Sequence, residues 1–166
     1  VVGVSWFETM AYCRWLSAEY PKWRTRLPTR LQWLHVTSPD GRRYPWGNER
    51  SSKIPLLARQ GEVVVVRGPV GFYPSTDGAF GHADLAGNLW EWVADVDELS
   101  IDERLPTEDL GRPRRLCGNS VLTVNTSEES PSLGQEKYAW MKSEWVYSTA
   151  RSGFNSFRVA VEPAWS

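Results

Sequence analysis

Two carboxylates flank a Gly-Asn pair in the segment from Asp84 to Glu91, and their spacing suits metal chemistry. The Gly-Asn pair favours a tight turn with positive φ, which would aim nearby backbone carbonyls inward while the adjacent tryptophans anchor the segment. Carboxylate and carbonyl oxygens are hard ligands that suit Ca²⁺. The segment therefore predicts a structural, non-catalytic calcium site. The alternative is that Asp84 caps a turn and Glu91 pairs with an arginine such as Arg43 or Arg158.

A second candidate for function is the stretch from 119 to 156, which combines Ser, Thr and Asn with interspersed Tyr and Trp. Rigid aromatic side chains give contact area and small polar side chains give adaptable hydrogen bonds, a mixture found in binding paratopes. The stretch therefore predicts a ligand-binding face. The alternative is a divergent loop whose aromatic residues lie mostly in the core. The residues predicted to form the face are Asn125, Tyr138, Trp140, Trp145, Tyr147 and Asn155.

Composition narrows the function classes. Nineteen Lys and Arg against 20 Asp and Glu leave no basic excess, so no nucleic-acid partner is expected. No apolar run reaches the roughly 20 residues that a membrane helix needs. Two cysteines and two histidines leave few soft metal ligands and cannot form a disulfide-rich scaffold. Ten tryptophans in 166 residues exclude disorder for most of the chain and indicate a dense core or an exposed binding surface.

Two early helices are predicted from their start signals. Ser5 with Glu8, and Thr29 with Gln32, each have the spacing of a capping box. Apolar residues recur at helical spacing behind each box, and Leu31 of the second helix is expected to face the core. The two histidines fall at the surface of the second helix and in a later loop, and neither is predicted to carry chemistry.

Short strands and ordered loops are predicted for the rest of the chain. A run of valines at 63–66 reads as a strand, 99–114 as an exposed loop and 157–161 as a closing strand. Early helices followed by short strands indicate an α+β fold. The chain is expected to be a single domain over residues 1–166.

Five short phrases along the chain carry a family resemblance. They are Val-Ser-Trp at 4–6, Arg-Leu-Pro-Thr at 26–29, Tyr-Pro-Trp-Gly-Asn at 44–48, Gly-Asn-Leu-Trp-Glu-Trp at 87–92 and Phe-Arg-Val-Ala at 157–160. In this order they resemble the formylglycine-generating-enzyme (sulfatase-modifying factor) family, whose fold is a variant of the C-type lectin fold. The family's N-terminal portion, which precedes the first phrase, has no counterpart here, so we expect a shortened version or a fragment.

The resemblance implies what the metal chemistry should be. Family members hold a calcium with side chains at the positions matching Asp84 and Glu91 and with the carbonyls matching Gly87 and Leu89. Oxidase members bind copper through two closely spaced cysteines in the C-terminal half, where this chain has only Cys117. Sulfoxide-forming relatives use a three-histidine iron site, which two histidines cannot supply. A structural Ca²⁺ is therefore expected, with no copper, no iron and no enzyme activity.

The resemblance also points to a function. The variable proteins of diversity-generating retroelements share this fold and change surface residues just before the closing Phe-Arg-Val-Ala strand. The chain is similar, because it is family-like to about residue 116, idiosyncratic to about residue 156 and family-like again at Phe157. We expect a non-catalytic ligand-binding protein of this kind, with a variable region at 119–156 and a protein or other surface molecule as partner. The alternatives are a formylglycine-generating oxidase or related enzyme, and a regulatory interaction module of a longer chain.

Overall fold

The computed structural model describes residues 1–49, 68–72, 77–94, 113–118 and 143–164. Within these ranges the chain forms two helices and six short strands, which confirms the α+β class. The strand predicted at 63–66 lies outside the described residues. The elements are α1 (Trp6–Glu19), β1 (Trp23–Arg26), α2 (Arg30–Thr37), β2 (Trp90–Trp92), β3 (Pro113–Gly118), β4 (Ser143–Tyr147), β5 (Asn155–Phe157) and β6 (Ala160–Pro163).

Helix α1 begins at the predicted capping box. The Oγ of Ser5 accepts a hydrogen bond from the Glu8 amide (3.4 Å), and the Glu8 carboxylate accepts one from the Ser5 amide (2.8 Å). These two bonds satisfy amides that the helix itself leaves without partners. Trp6, Met10 and Cys13 recur at helical spacing and are buried, so this stripe fixes the helix against the core.

Helix α2 begins in the same way. The Gln32 amide donates to the Thr29 Oγ1 (3.1 Å), and the Gln32 side chain accepts from the Thr29 amide (3.0 Å). Trp33 is 1% exposed, whereas Leu31 is 72% exposed, so the expectation that Leu31 faces the core is wrong. Residues two apart on a helix point about 200° away from each other, so the burial of Trp33 turns Leu31 outward.

The described strands form two sheets. Strands β1 and β6 pair antiparallel, with Trp23 opposite Pro163, and the other four lie in the order β4-β3-β2-β5. The closing strand predicted at 157–161 is therefore two strands in different sheets. The chain changes sheet in a two-residue link that begins at Arg158, whose side chain pairs with Glu91.

The chain divides into two compact units. The first consists of Val1–Trp33, Glu91–Cys117 and Ser143–Ser166, and the second of Leu34–Trp90 and Gly118–Lys142. Neither of the helices in the described ranges is long and apolar enough to cross a membrane.

Buried tryptophans in the first unit join segments that are far apart in the chain through hydrogen bonds. The Nε1 of Trp6 donates to the Val93 carbonyl (2.9 Å), and the Nε1 of Trp92 donates to a carbonyl near the start of the chain (2.9 Å). The guanidinium of Arg114 lies 4.3 Å from the ring centre of Trp6, and the residue is 0% exposed. Residues 99–112 of the predicted exposed loop 99–114 lie outside the described residues. At Arg114 the prediction is wrong, because the face of a buried indole accommodates this cation.

Turns and stacked rings characterise the second unit. The Gly78 amide donates to the His82 carbonyl (2.9 Å), and a side chain at Gly78 would collide with the buried Leu85. The ring of Phe80 stacks on that of His35 (5.8 Å between centroids) and meets that of His82 edge-on (6.5 Å). Both histidines are exposed, as their predicted positions on a helix surface and in a loop imply.

Candidate ligand-binding face

One face of the β3–β4 pair carries exposed aromatic side chains. The antiparallel register sets Trp145 opposite Arg115 and Tyr147 opposite Pro113. Because successive side chains of a strand alternate between its two sides, these four residues share one side of the sheet. Trp145 is 44% exposed and Tyr147 is 67% exposed. The set Pro113, Arg115, Trp145 and Tyr147 is called the β3–β4 face below.

Arg115 supports the ring of Trp145. Its guanidinium lies 4.3 Å from the ring centre, and the residue itself is only 7% exposed. A cation against an indole face is attracted by the ring quadrupole, by about 0.5–2 kcal/mol depending on exposure. The indole is thus held in place before any ligand arrives, which reduces the entropy that binding removes.

The structure places the predicted ligand-binding residues in different environments. Trp145 and Tyr147 are exposed on the same strand. Asn155 is 3% exposed, and its backbone carbonyl accepts a hydrogen bond from the Gly3 amide (3.2 Å). The expectation that Asn155 is a surface residue is corrected, because it begins β5 inside the scaffold. Asn125, Tyr138 and Trp140 lie outside the described residues, and the set as a binding face stays a prediction.

Sequence reasoning did not assign Arg115 to this face. Its position depends on the register between β3 and β4, which are separated in the chain by residues 119–142. Neither strand carries a pattern that specifies which residue opposes which, although alternation along each strand could have grouped Trp145 with Tyr147. Arg115 could therefore not be assigned to this face from the sequence, because the assignment requires the pairing of β3 with β4 and not only the residue types.

A buried carboxylate, that of Glu91, joins distant segments of the first unit. Its Oε2 accepts a hydrogen bond from the Trp33 indole (2.8 Å). The Arg158 guanidinium donates to both oxygens, from Nε to Oε2 (2.6 Å) and from Nη2 to Oε1 (2.5 Å). Glu91 is 8% exposed. A bidentate pair of this kind holds β2 to the link after β5 with defined geometry.

The turn predicted at Gly87 and Asn88 is present in the second unit. Gly87 has φ 89° and Asn88 has φ 62°, and the Leu89 amide donates to the Gly87 carbonyl (2.8 Å). This is a γ-turn centred on Asn88, a strained conformation that small or amide side chains tolerate best. The Asp84 Oδ2 accepts a hydrogen bond from the Gly71 amide (2.9 Å), so this carboxylate stabilises a neighbouring turn.

The predicted calcium ligands already make contacts within the protein. The Gly87 carbonyl and the Asp84 carboxylate each accept a backbone hydrogen bond. Glu91 does not fit a cation site in this arrangement, because the guanidinium of Arg158 lies against both of its oxygens and repels a second cation. The pairing of Glu91 with Arg158, the alternative considered from the sequence, is the contact observed. The calcium site stays a prediction.

Cys13 and Cys117 are buried thiols. Burial raises the pKa of Cys13 to about 11, so its thiol stays protonated at neutral pH. This agrees with the predicted role of Cys13 as a small apolar group in the helix. In the part of the chain that the structure describes, no three His, Cys, Asp or Glu residues form a group that could hold a metal ion.

Comparison with known proteins assigns the family. The sequence model of the sulfatase-modifying factor enzyme 1-like domain, FGE-sulfatase, matches residues 1–163. The chain belongs to this family. The resemblance drawn from the five phrases is therefore confirmed, and solved structures support the C-type lectin-like fold of this FGE-sulfatase domain.

Relatives of the FGE-sulfatase domain carry different names. Hercynine oxygenase of Mycobacterium tuberculosis is 36% identical over 98 residues, 56% of this chain and 21% of that protein. The formylglycine-generating enzyme of Streptomyces coelicolor is 30% identical over 141 residues, 74% of this chain and 42% of that protein. The structure of Treponema denticola variable protein 1 matches with a TM-score of 0.64 at 17% identity, over 99% of this chain and 71% of that one.

The expectation that the chain is not an enzyme is contradicted by these relatives, two of which are named as enzymes, a hercynine oxygenase and a formylglycine-generating enzyme. That expectation rested on counting cysteines and histidines within 166 residues. The chain spans only 21% and 42% of the lengths of those two enzymes. A count of cysteines and histidines over a region that matches so small a share of those two enzymes does not decide whether a protein of this family has metal ligands for catalysis.

Proposed function

We propose that this FGE-sulfatase domain binds a protein or other surface molecule through the β3–β4 face and the stretch 119–156, in the manner of a variable protein. The observation that carries the proposal is the pair Trp145 and Tyr147, which are 44% and 67% exposed on one strand. Exposed, pre-positioned aromatic side chains are the residues that dominate affinity at protein interfaces. The flanking Ser-, Thr- and Asn-rich sequence supplies adaptable hydrogen-bonding groups.

The scaffold and the face depend on different residues, which supports a changeable surface. Trp6 and Trp92 are 0% exposed and their indoles are hydrogen-bonded to backbone carbonyls. Trp145 instead rests on Arg115 with nearly half of its surface in solvent. Substituting exposed side chains usually changes stability little, so the face can change while the fold persists.

A pair of displayed libraries tests the binding proposal. One library randomises Trp145 and Tyr147 together with residues 119–142, and the matched control randomises Tyr12 and Trp15, which are exposed on α1 outside the face. Both are selected against the same panel of purified proteins. We expect saturable binders from the first library and few from the second. An equal yield from both libraries, or none from the first, would contradict the proposal.

The DNA around the gene tests the comparison with variable proteins. A diversifying retroelement needs a reverse transcriptase gene and a near-repeat of the coding sequence that differs at adenines. We expect both beside this gene, with the differing codons confined to residues 119–156. A repeat whose differences fall in codons for buried residues such as Trp92 would contradict the scaffold-and-face division.

Oxidation catalysis is the second candidate function, favoured by the 36% identity to hercynine oxygenase and the 30% identity to formylglycine-generating enzyme. In this case the β3–β4 face would hold the substrate. Purified protein is incubated with a cysteine-containing sulfatase peptide and copper, and separately with hercynine, a panel of small thiols and iron(II) in air. Mass spectrometry then detects product. Turnover that a Trp145→Ser/Tyr147→Ser variant loses while staying folded would assign the face to a substrate.

A further inference from the structure

Strand β4 lies at one edge of the four-stranded sheet. Among the residues that the structure describes, its one neighbouring strand is β3, since the order is β4-β3-β2-β5. An edge strand presents backbone N–H and C=O groups that no neighbouring strand satisfies, and these groups form a template for a further strand. The side of β4 that faces away from β3 is called the β4 edge below.

The hydrogen bonds of β3 decide which backbone groups reach the β4 edge. The Val93 amide donates to the Arg115 carbonyl (3.1 Å), so the backbone groups of Arg115 point towards β2 and not towards β4. Because these directions alternate along a strand, the backbone groups of Arg114 point towards its partner Val146. Trp145, one residue before Val146, therefore directs its N–H and C=O outward, to the β4 edge.

Two further observations agree with this alternation. In antiparallel sheets the side chains of a non-hydrogen-bonded pair lie closer together than those of a hydrogen-bonded pair. Trp145 and Arg115 form a pair of the first kind, and the guanidinium lies 4.3 Å from the centre of the indole ring. Pro113, which has no N–H, stands opposite Tyr147 in a second non-hydrogen-bonded pair, where β4 needs no donor from it.

The β4 edge offers hydrogen-bonding groups beside two aromatic side chains. The groups include the N–H and C=O of Trp145 and the N–H of Tyr147, whereas the Tyr147 carbonyl accepts from the Ala150 amide in the following turn (2.8 Å). Trp145 is 44% exposed and Tyr147 is 67% exposed, so much of both residues is open to a partner. A chain paired with these groups would place every second side chain on the same side of the sheet as the two rings.

We propose that the β4 edge takes up an extended peptide segment of a partner protein as an additional strand, with apolar side chains against Trp145 and Tyr147. This inference rests on the proposed function, whose ligand it specifies. Backbone hydrogen bonds supply affinity for an extended segment, and the aromatic side chains select its sequence. Substitution of these side chains alters the selection and leaves the backbone groups in place, which suits a surface that changes.

Amide hydrogen exchange of the free chain, followed by NMR, tests the backbone geometry. We expect the Val146 amide to be protected at least about 100 times more than the Trp145 amide, because only the first is directed at β3. Equal protection of the two amides would show that the β4 edge is already paired and would overturn the proposal. A dimer in analytical ultracentrifugation that Tyr147→Pro abolishes would identify a second copy as the occupant and would overturn it as well.

A displayed library of random linear peptides supplies the probe. We expect peptides selected on the purified chain to bind saturably, to carry alternating apolar residues and to protect the Trp145 amide from exchange. Methylation of one peptide nitrogen at a time should weaken binding about fivefold at every second position, since one hydrogen bond is lost there. Weakening without this alternation, or a library that yields no saturable peptide, would overturn the proposal.

Two substitutions at one position separate the backbone contribution from that of the side chain. Tyr147→Thr removes the ring and keeps the N–H, whereas Tyr147→Pro removes both, and proline is tolerated at the solvent side of an edge strand. We expect Tyr147→Pro to bind a selected peptide about fivefold more weakly than Tyr147→Thr does. Equal affinities would overturn the proposal. If Tyr147→Pro fails to fold by thermal melting, the methylation series decides in its place.

The same peptides separate this inference from the proposed function. Peptides that lose affinity for Trp145→Ser but leave the Trp145 amide of the unaltered protein unprotected would overturn strand addition alone, because the side chains would still form a binding face. Peptides that bind a Trp145→Ser/Tyr147→Ser variant as tightly as the unaltered protein would contradict both. The matched control is Tyr12→Ser, at an exposed position of α1, which should leave the affinity unchanged.

Discussion

Two buried charges of the first unit lie against specific partners. Glu91 has the indole of Trp33 and the guanidinium of Arg158 against its oxygens, and the guanidinium of Arg114 lies on the ring of Trp6. Removing one member of such a pair leaves an ion in a poorly solvating environment, which costs more than the pair itself contributes. The sequence suggested the pair of Glu91 with Arg158 only as one of two alternatives, and it did not indicate the contacts of Trp33 and Arg114, because each joins segments far apart in the chain.

Substitution of Arg158 measures how much its ion pair with Glu91 contributes to the free energy of unfolding. Arg158→Met keeps the aliphatic stem but leaves Glu91 without its counter-charge, so we expect the free energy of unfolding to fall by about 3 kcal/mol. Urea denaturation followed by tryptophan fluorescence measures it. The matched control is Arg151→Met, which breaks a bidentate pair with Glu8 whose side chains are 63% and 44% exposed. Its effect should be much smaller, and comparable losses in the two variants would contradict the argument.

The buried thiol of Cys13 gives a pH-dependent prediction. Its pKa is raised from the ordinary 9.0 to about 11 because burial disfavours the thiolate. The folded state therefore holds this proton more tightly, and the stability linked to it is present below pH 9 and lost as the pH rises through about 11. In a Cys117→Ala background at pH 8, Ellman's reagent should label native Cys13 at least about 100-fold more slowly than it labels the urea-unfolded chain. Rapid labelling of the native protein would contradict the burial of Cys13.

At the scale of single elements, the helices follow from local sequence. Ser5, Glu8, Thr29 and Gln32 make the reciprocal hydrogen bonds that their spacing predicts. Capping is a contact between residues three apart, so no knowledge of the rest of the fold is needed to predict it. The outward position of Leu31 could not be predicted in this way, because burial depends on which side of α2 meets the core.

Removal of the N-cap of α1 should lower the free energy of unfolding by the amount that is typical for loss of a serine cap. Ser5→Ala removes the acceptor for the Glu8 amide, and we expect the free energy of unfolding to fall by about 1 kcal/mol. Ser5→Gly is the matched control, since glycine at this position loses only a few tenths of a kcal/mol. Chemical denaturation of both variants tests this. Equal stability of Ser5→Ala and the unaltered protein would show that the cap contributes nothing.

The strands are less accessible to sequence reasoning than the helices. The run 157–161 predicts one strand, whereas the protein forms β5 and β6 in two sheets. Strand propensity describes single residues, but the sheet that a strand joins is decided by long-range partners such as Glu91, which draws Arg158 away. Trp145 and Tyr147 were predicted as binding residues from composition, and their exposure on β4 agrees, whereas Asn155 carried the same compositional signal and is buried.

At the scale of the whole molecule, stability and binding are assigned to separate tryptophans. Trp92 is 0% exposed, so Trp92→Ala should lower the free energy of unfolding by about 3–5 kcal/mol through lost burial and an internal cavity. Trp145→Ala, with 44% exposure, should cost about 1 kcal/mol or less. Thermal and urea denaturation of the two variants measure the difference. A large loss for Trp145→Ala would assign the β3–β4 face to the scaffold and remove the basis for a changeable surface.

Because only Arg158 and Val159 separate β5 from β6, neither strand can detach far without pulling on the other. The four-stranded and the two-stranded sheets of the first unit are therefore mechanically coupled through this link, and they should open as one cooperative foldon. Backbone amides in β5 and β6 are then expected to exchange with solvent deuterium with similar opening free energies, although the strands belong to different sheets. We expect release of Arg158 from Glu91, as in Arg158→Met, to speed exchange in both strands together, although only β5 lies in the same sheet as Glu91.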